Sequence, residues 1–258
     1  MIASVYSVTG NYKKVNQDSV LLKTAYSNGK DIAILAVCDG MGGLANGEEA
    51  SQLAALHLNR WFTQIFPYFL SEKTEEAFFS KIKTSLDSLV MKADEEIKKI
   101  TRKTGKSSGT TMCVLLIVGN RFYTLNIGDS RAYKVTQDKC IQLTKDQTYT
   151  QLMIDQGKTT RQEMKKHPQR NALLQCIGAG QEIEPIYTRG EADDDDVFFV
   201  CSDGFRHLLS NEEFLRSLNP GKLQNEYVMQ EILEKLVDLN LDRGEKDNIS
   251  VVCLKMNA

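Results

Sequence analysis

The chain has 258 residues, 41% of them hydrophobic and 26% charged, with a formal net charge of −2. That length allows one large domain or two small ones, and the composition is ordinary for a water-soluble globular protein. Without a basic stripe or tail there is no electrostatic support for nucleic-acid binding. No apolar run approaches the roughly 20 residues that span a bilayer, so no membrane partner is expected. The start, Met1-Ile2-Ala3-Ser4-Val5-Tyr6, lacks the pattern of a secretory signal, and a cytoplasmic location is expected. The six cysteines (Cys38, Cys113, Cys140, Cys176, Cys201 and Cys253) form no CxxC pair and sit mostly in apolar runs. Reduced core thiols are expected rather than a zinc site.

Strand signals come first along the chain, at 2–8 and 18–24. The continuous apolar run 32–38 reads as a strand buried on both faces. Asn28-Gly29 marks a hairpin ahead of that run. Residues 47–66 carry Ala50, Leu53, Ala54, Leu58, Trp61, Phe62 and Ile65 at helical spacing. Residues 74–102 do the same with Phe78, Ile82, Leu86, Leu89, Ala93, Ile97 and Ile100, above a Lys/Glu outer face. Strands follow at 112–118 and 122–127, joined at Gly119-Asn120, and a third hairpin is expected at Asp138-Lys139.

The stretch 147–190 is long, polar and weakly periodic, with helical fragments at 151–156 and 161–167. It reads as a functional flap or an insertion. Strands at 197–201 and 249–253 bracket a third helix marked by Val228, Ile232, Leu236 and Leu239. Short turns of this kind join antiparallel strands. With no linker or repeat, the order fits one α+β domain of two stacked antiparallel sheets with helices outside.

Carboxylates recur where strands meet loops, in Asn16-Gln17-Asp18, Asp39-Gly40-Met41-Gly42-Gly43, Ser202-Asp203-Gly204 and Asp247-Asn248. A charge beside a core must be paired or ligate a metal. Each of these alone is more often a turn residue, and Asp39 alone could equally cap a helix after a glycine turn. Several converging would form a cage of hard oxygens suited to Mg²⁺ or Mn²⁺.

These segments, with Ser108-Gly109-Thr110-Thr111, Asn126-Ile127-Gly128-Asp129-Ser130-Arg131-Ala132-Tyr133 and Leu143-Thr144-Lys145-Asp146, stand in one order along nearly the whole chain. In that order the chain resembles the metal-dependent serine/threonine protein phosphatases of type 2C, in their compact bacterial form. The resemblance implies a four-layer α-β-β-α sandwich over residues 1–258, with a flap at about 147–190. It implies hydrolysis of phosphoserine and phosphothreonine by a hydroxide held between two Mn²⁺ or Mg²⁺ ions. Asp39 would bridge the ions and the Gly40 carbonyl would bind one of them. Asp203 and Asp247 would complete the first site, and Asp18 would serve the second through water. Asp129, with Asp203, would hold a weaker third ion; its competing reading is a turn residue paired with Arg131.

The resemblance also implies phosphorylated proteins as partners, substrates of a serine/threonine kinase. The family's phosphate-gripping arginine is replaced by Lys13, which keeps the charge but loses the bidentate fork; Lys13 and Lys14 could equally be surface charges. The animal members' histidine is replaced by Met41. None of His57, His167 and His207 falls in a motif, which leaves the general acid unassigned. Two alternatives stay open: a non-catalytic phosphoprotein-binding module of the same fold, and a hydrolase of small phosphate esters. Asp193–196 reads as a solvated acidic turn.

Overall fold

The computed structural model describes residues 1–41, 46–164, 167–170, 172–180 and 182–256. Gly42 and Gly43, and part of the helical fragment expected at 161–167, lie outside the described residues. The chain opens with β1 (Ile2–Val8), β2 (Asp18–Ser27) and β3 (Lys30–Met41), then α1 (Gly47–Gln64) and the 30-residue α2 (Glu75–Thr104). Next come β4 (Gly109–Thr110), β5 (Met112–Val118), β6 (Arg121–Ile127), β7 (Arg131–Val135) and β8 (Cys140–Gln142). Two short helices, α3 (Tyr149–Asp155) and α4 (Arg161–Met164), lead to β9 (Ile186–Glu191) and β10 (Val197–Cys201). Then α5 (Asp203–Arg206), α6 (Asn211–Ser217), α7 (Glu226–Asp242) and β11 (Ile249–Lys255) complete it.

The strands form two antiparallel sheets, ordered β1-β11-β10-β7-β8 and β2-β3-β5-β6-β9, with β4 paired to β3. All three expected hairpins form, as β2–β3, β5–β6 and β7–β8. The run 32–38 explains the layering. Alternate side chains of a strand face opposite ways, so Ala33, Leu35 and Val37 pack between the sheets against Phe198, Val200 and Val252. Ile32, Ile34, Ala36 and Cys38 pack outward against Leu58, Trp61, Ile82 and Leu86 of α1 and α2. On the far side Phe214, Met229, Leu233 and Leu236 cover the other sheet. The result is the four-layer α-β-β-α sandwich, of class α+β.

Three expectations change. Residues 186–190 belong to β9, which pairs with β6, so the polar insertion ends at about residue 185. Its Tyr187 packs on the α2 side against Phe79, but with Thr188, Arg189 and Glu191 the strand is too polar to stand out in the sequence. The helix α6 adds to the expected elements, with Ser210 and Glu213 forming a complete capping box at its start. At seven residues it is too short to show a period. In the acidic run, Asp196 is 5% exposed and pairs with Lys134 at 2.6 Å, so that turn is only partly solvated.

Candidate active site

Register decides where the carboxylates go. In the β2–β3 ladder Asp18 stands opposite Asp39. In the other sheet Cys201 stands opposite both Val251 and Arg131, which brings the chain just after β10, just before β11 and just before β7 to one end. Asp203, Asp247 and Asp129 occupy those three positions. The two sheets therefore present all five acids at the same end of the sandwich.

Each is fixed locally. The Asp39 amide donates to Thr111 Oγ1 at 2.9 Å, and its carbonyl accepts from the Thr111 amide at 2.9 Å and from Thr110 Oγ1 at 3.1 Å. That gives the Ser108–Thr111 motif a structural task. The Gly40 amide donates to Gln17 O at 3.1 Å, and a Cβ there would lie 2.2 Å from Gly47 O, so no other residue fits. Gly204 is equally constrained: a Cβ would lie 2.1 Å from Asn248 O, so glycine alone lets α5 start against β11. The Asn248 side chain accepts from the Gln17 amide at 3.0 Å and donates to the carbonyls of Thr9 and Val15. It pins the loop that carries Lys13.

Burial and mutual repulsion dominate the electrostatics. Asp18 is pushed up to about 7, first by burial and then by the charges of Asp203 and Asp247, against the hydroxyls of Ser202 and Ser250. Those hydroxyls stand beside it without reaching hydrogen-bonding geometry, and both carboxylate oxygens of Asp18 are shielded and unpartnered. Asp39 is held well above the usual carboxylate range by burial and by Asp18, Asp203, Asp129 and Asp247. Asp203 is raised by burial, with His207 and Arg206 opposing, and its Oδ1 is also buried without a partner. Asp129 is raised by burial and Asp203 to about 6.

Two cations enter this acidic end. Lys13 Nζ lies 2.8 Å from Asp247 Oδ1. Burial alone would lower its pKa, but the bond to Asp247 and the fields of Asp39 and Asp203 outweigh that and raise it. Arg206 binds Asp129, with Nη2 3.1 Å from Oδ2. Arg131, the partner considered for Asp129, instead grips Asp146 bidentately at 2.7 and 2.6 Å. With Asp247 and Asp129 so engaged, no group of three or more His, Cys, Asp or Glu among the described residues is gathered in ion-holding geometry. The donor chemistry still fits a divalent ion. Buried carboxylate oxygens with no hydrogen bond, raised in pKa by one another, are hard ligands whose mutual repulsion a hard cation would relieve.

A cleft of about 910 Å³ opens beside these acids. Its lining includes Asp129, Asp203 and Asp247, Thr150 and Arg170 of the insertion, and Leu208. Arg206, which no motif in the sequence marks, and His207, which falls in none, also line this cleft. They follow Asp203-Gly204-Phe205, and one helical turn carries them to the cleft. His207 Nδ1 lies 3.6 Å from Glu245 Oε2, and that nearby carboxylate raises the imidazole pKa. His57 is buried on α1 against Glu96, away from this cleft. All six cysteines are free, and burial pushes the thiols upward, Cys201 to about 12. None is poised as a thiolate nucleophile.

A family model described as Protein phosphatase 2C matches residues 11–240. The chain is 33% identical over 237 residues to the serine/threonine protein phosphatase PstP of Mycobacterium tuberculosis, covering 92% of this chain and 41% of that protein's length. It is 28% identical over 259 residues to the protein phosphatase PhpP of Streptococcus pneumoniae, covering 100% and 98%. Among solved structures, the catalytic domain of a PstP in complex with two manganese ions superposes with a TM-score of 0.76 at 29% identity, covering 99% and 98%. The chain therefore belongs to the protein phosphatase 2C family.

Proposed function

We propose that this protein removes phosphate from phosphoserine and phosphothreonine in other proteins, with two Mn²⁺ or Mg²⁺ ions held by Asp39, the Gly40 carbonyl, Asp203, Asp247 and Asp18. The buried, unpartnered oxygens of Asp18 and Asp203 carry this reading. The PstP catalytic domain with two manganese ions supports it by likeness. When bound, such ions supply Lewis acidity at the phosphoryl oxygens and make water nucleophilic at neutral pH.

The chain's own residues do the rest. Asp39 feels the charges of all four other acids, and Thr110 and Thr111 fix the backbone from which its carboxylate projects. Asp18 stands opposite it in the ladder and would orient water by hydrogen bonding. Lys13, on the loop pinned by Asn248, would leave Asp247 to bind the substrate phosphate as a point charge. His207 lies within the cleft and is a candidate to protonate the leaving hydroxyl oxygen. The substrates would be phosphoproteins made by a serine/threonine kinase, in the cytoplasm.

Release of p-nitrophenol from its phosphate ester, with and without Mn²⁺, followed by a phosphothreonine peptide, tests this. Metal-stimulated turnover of both is expected. Turnover of the small ester alone would mark a small-ester hydrolase, and turnover of neither would mark a binding module. Asp39→Asn removes the central charge and should lower turnover more than about 100-fold, beyond what loss of a supporting outer ligand costs. Wild-type rates in that variant would sink the mechanism.

A further inference from the structure

The Asp129 carboxylate is already spoken for. It lies in the turn between β6 and β7, and the guanidinium of Arg206 bridges one of its oxygens and the Asp129 backbone carbonyl. Nη2 donates to Oδ2 at 3.1 Å and to the Asp129 carbonyl at 2.8 Å, while Nε reaches the same carbonyl at 3.3 Å. The Arg206 side chain is only 10% exposed. Its other side faces Asp146, 4.0 Å away, which Arg131 holds bidentately. Two carboxylates and two guanidiniums thus stand together, each side chain at most 12% exposed. Arg206 is also three residues beyond Asp203 on the single turn of α5, so its charge sits beside the second acid of the pair.

A third divalent ion shared by Asp129 and Asp203 would have to share the Asp129 carboxylate with Arg206, which already holds its Oδ2. It would also lie beside the positive charge of Arg206, whose side chain is only 10% exposed. Breaking a buried, hydrogen-bonded pair is strongly unfavourable, and a cation held near a second cation in a poorly screened place is repelled. The residues do not fit a third ion.

We propose that Arg206 takes the place of a third cation in this protein: its guanidinium supplies fixed positive charge beside Asp203, and Asp129 anchors that arginine instead of ligating metal. This rests on the two-ion reading above. Its consequence is a charge that does not depend on metal concentration, since arginine stays protonated under all ordinary conditions.

Manganese stoichiometry, by calorimetry and by equilibrium dialysis with metal analysis, tests it without reference to turnover. The wild type should saturate at two ions, and Asp129→Asn should leave that number unchanged. Arg206→Gln frees Asp129 and should add a third, weaker ion; in the double variant Arg206→Gln/Asp129→Asn the third should vanish. Three ions in the wild type, or loss of one ion in Asp129→Asn, overturns the proposal, and both measurements stand even if Arg206→Gln does not fold. A folded Arg206→Gln, checked by circular dichroism, that still binds two also overturns it. Fewer than two ions in the wild type would instead sink the two-ion reading beneath it.

Discussion

Asp18 shows at the scale of one residue what burying an unpartnered acid does to stability. Its carboxyl is raised from 3.8 to about 7 by burial and neighbouring acids. A carboxyl raised in the folded state binds protons more tightly there than in the unfolded chain. Between about pH 4 and pH 7 the folded state holds the extra proton, and stability falls as pH rises through that window. Asp39, Asp129 and Asp203 shift the same way and reinforce it. Glu213 is lowered to about 2 by Arg243 and Ser210, but its contribution is lost only below its ordinary range, outside that window. Melting in EDTA should therefore show a lower Tm at pH 7.5 than at pH 5.5, and Mn²⁺ should raise the Tm most at the higher pH. A Tm in EDTA that climbs over this interval would contradict the assignment. Lys13 makes a second residue-scale case. If its charge grips the substrate phosphate, Lys13→Ala should raise KM for a phosphothreonine peptide about 10-fold, the worth of a hydrogen bond to a charged group. Lys13→Arg should lower it; unchanged KM in both variants would remove Lys13 from the site.

At the scale of elements, α5 is the piece that needs outside support. A four-residue helix cannot hold itself together, yet it carries Asp203 and Arg206. Gly204 seats its start on Asn248, and the buried Asn240 of α7 donates to Phe205 O at 2.8 Å and to Leu236 O at 3.2 Å. Asn240→Ala leaves the Phe205 carbonyl buried without that donor, at a cost of about 1–3 kcal/mol. Urea denaturation should register this loss, and Mn²⁺ affinity should weaken with it because Asp203 loses its footing. Lost stability with unchanged metal affinity would show that α5 is positioned by Gly204 and β10 alone. The long α2 needs no such help: Thr74 caps its start, Gly105 ends it at a left-handed φ of 68°, and Phe78, Ile82, Leu86 and Ile97 bury one stripe.

Over the whole molecule, the two sheets gather the five acids at one end of the sandwich. The insertion between β8 and β9 leans over that end, placing Thr150 and Arg170 on the wall of the cleft. No helix among the described residues is long and apolar enough to cross a membrane. Because the insertion lines the route beside the acids without supplying any of them, exchanging it for a relative's should change peptide preference while leaving p-nitrophenyl phosphate turnover within about 2-fold, since such a small ester makes few contacts outside the reacting centre. Altered small-ester turnover with unaltered peptide preference would show that the insertion belongs to the chemistry and not to selection.

The amino-acid order by itself determined the layers and the roster of acids. The run 32–38, buried on both faces, the period of α1 and α2, and the hairpin signals at 28–29, 119–120 and 138–139 are local patterns, each set by residues close in sequence. The aspartates at strand ends were legible for the same reason. Tertiary structure alone decided who touches whom. Strand register set Asp18 against Asp39, and the fold back of β11 brought Asp247 to Lys13. It gave Asp146 to Arg131 and Asp129 to Arg206, a choice between two arginines that spacing could not make. It also enlisted β9, whose sequence is too polar to stand out, because a sheet edge at β6 had backbone groups to satisfy. Pairings between distant residues depend on geometry summed over the entire chain, and no short window of sequence contains that sum.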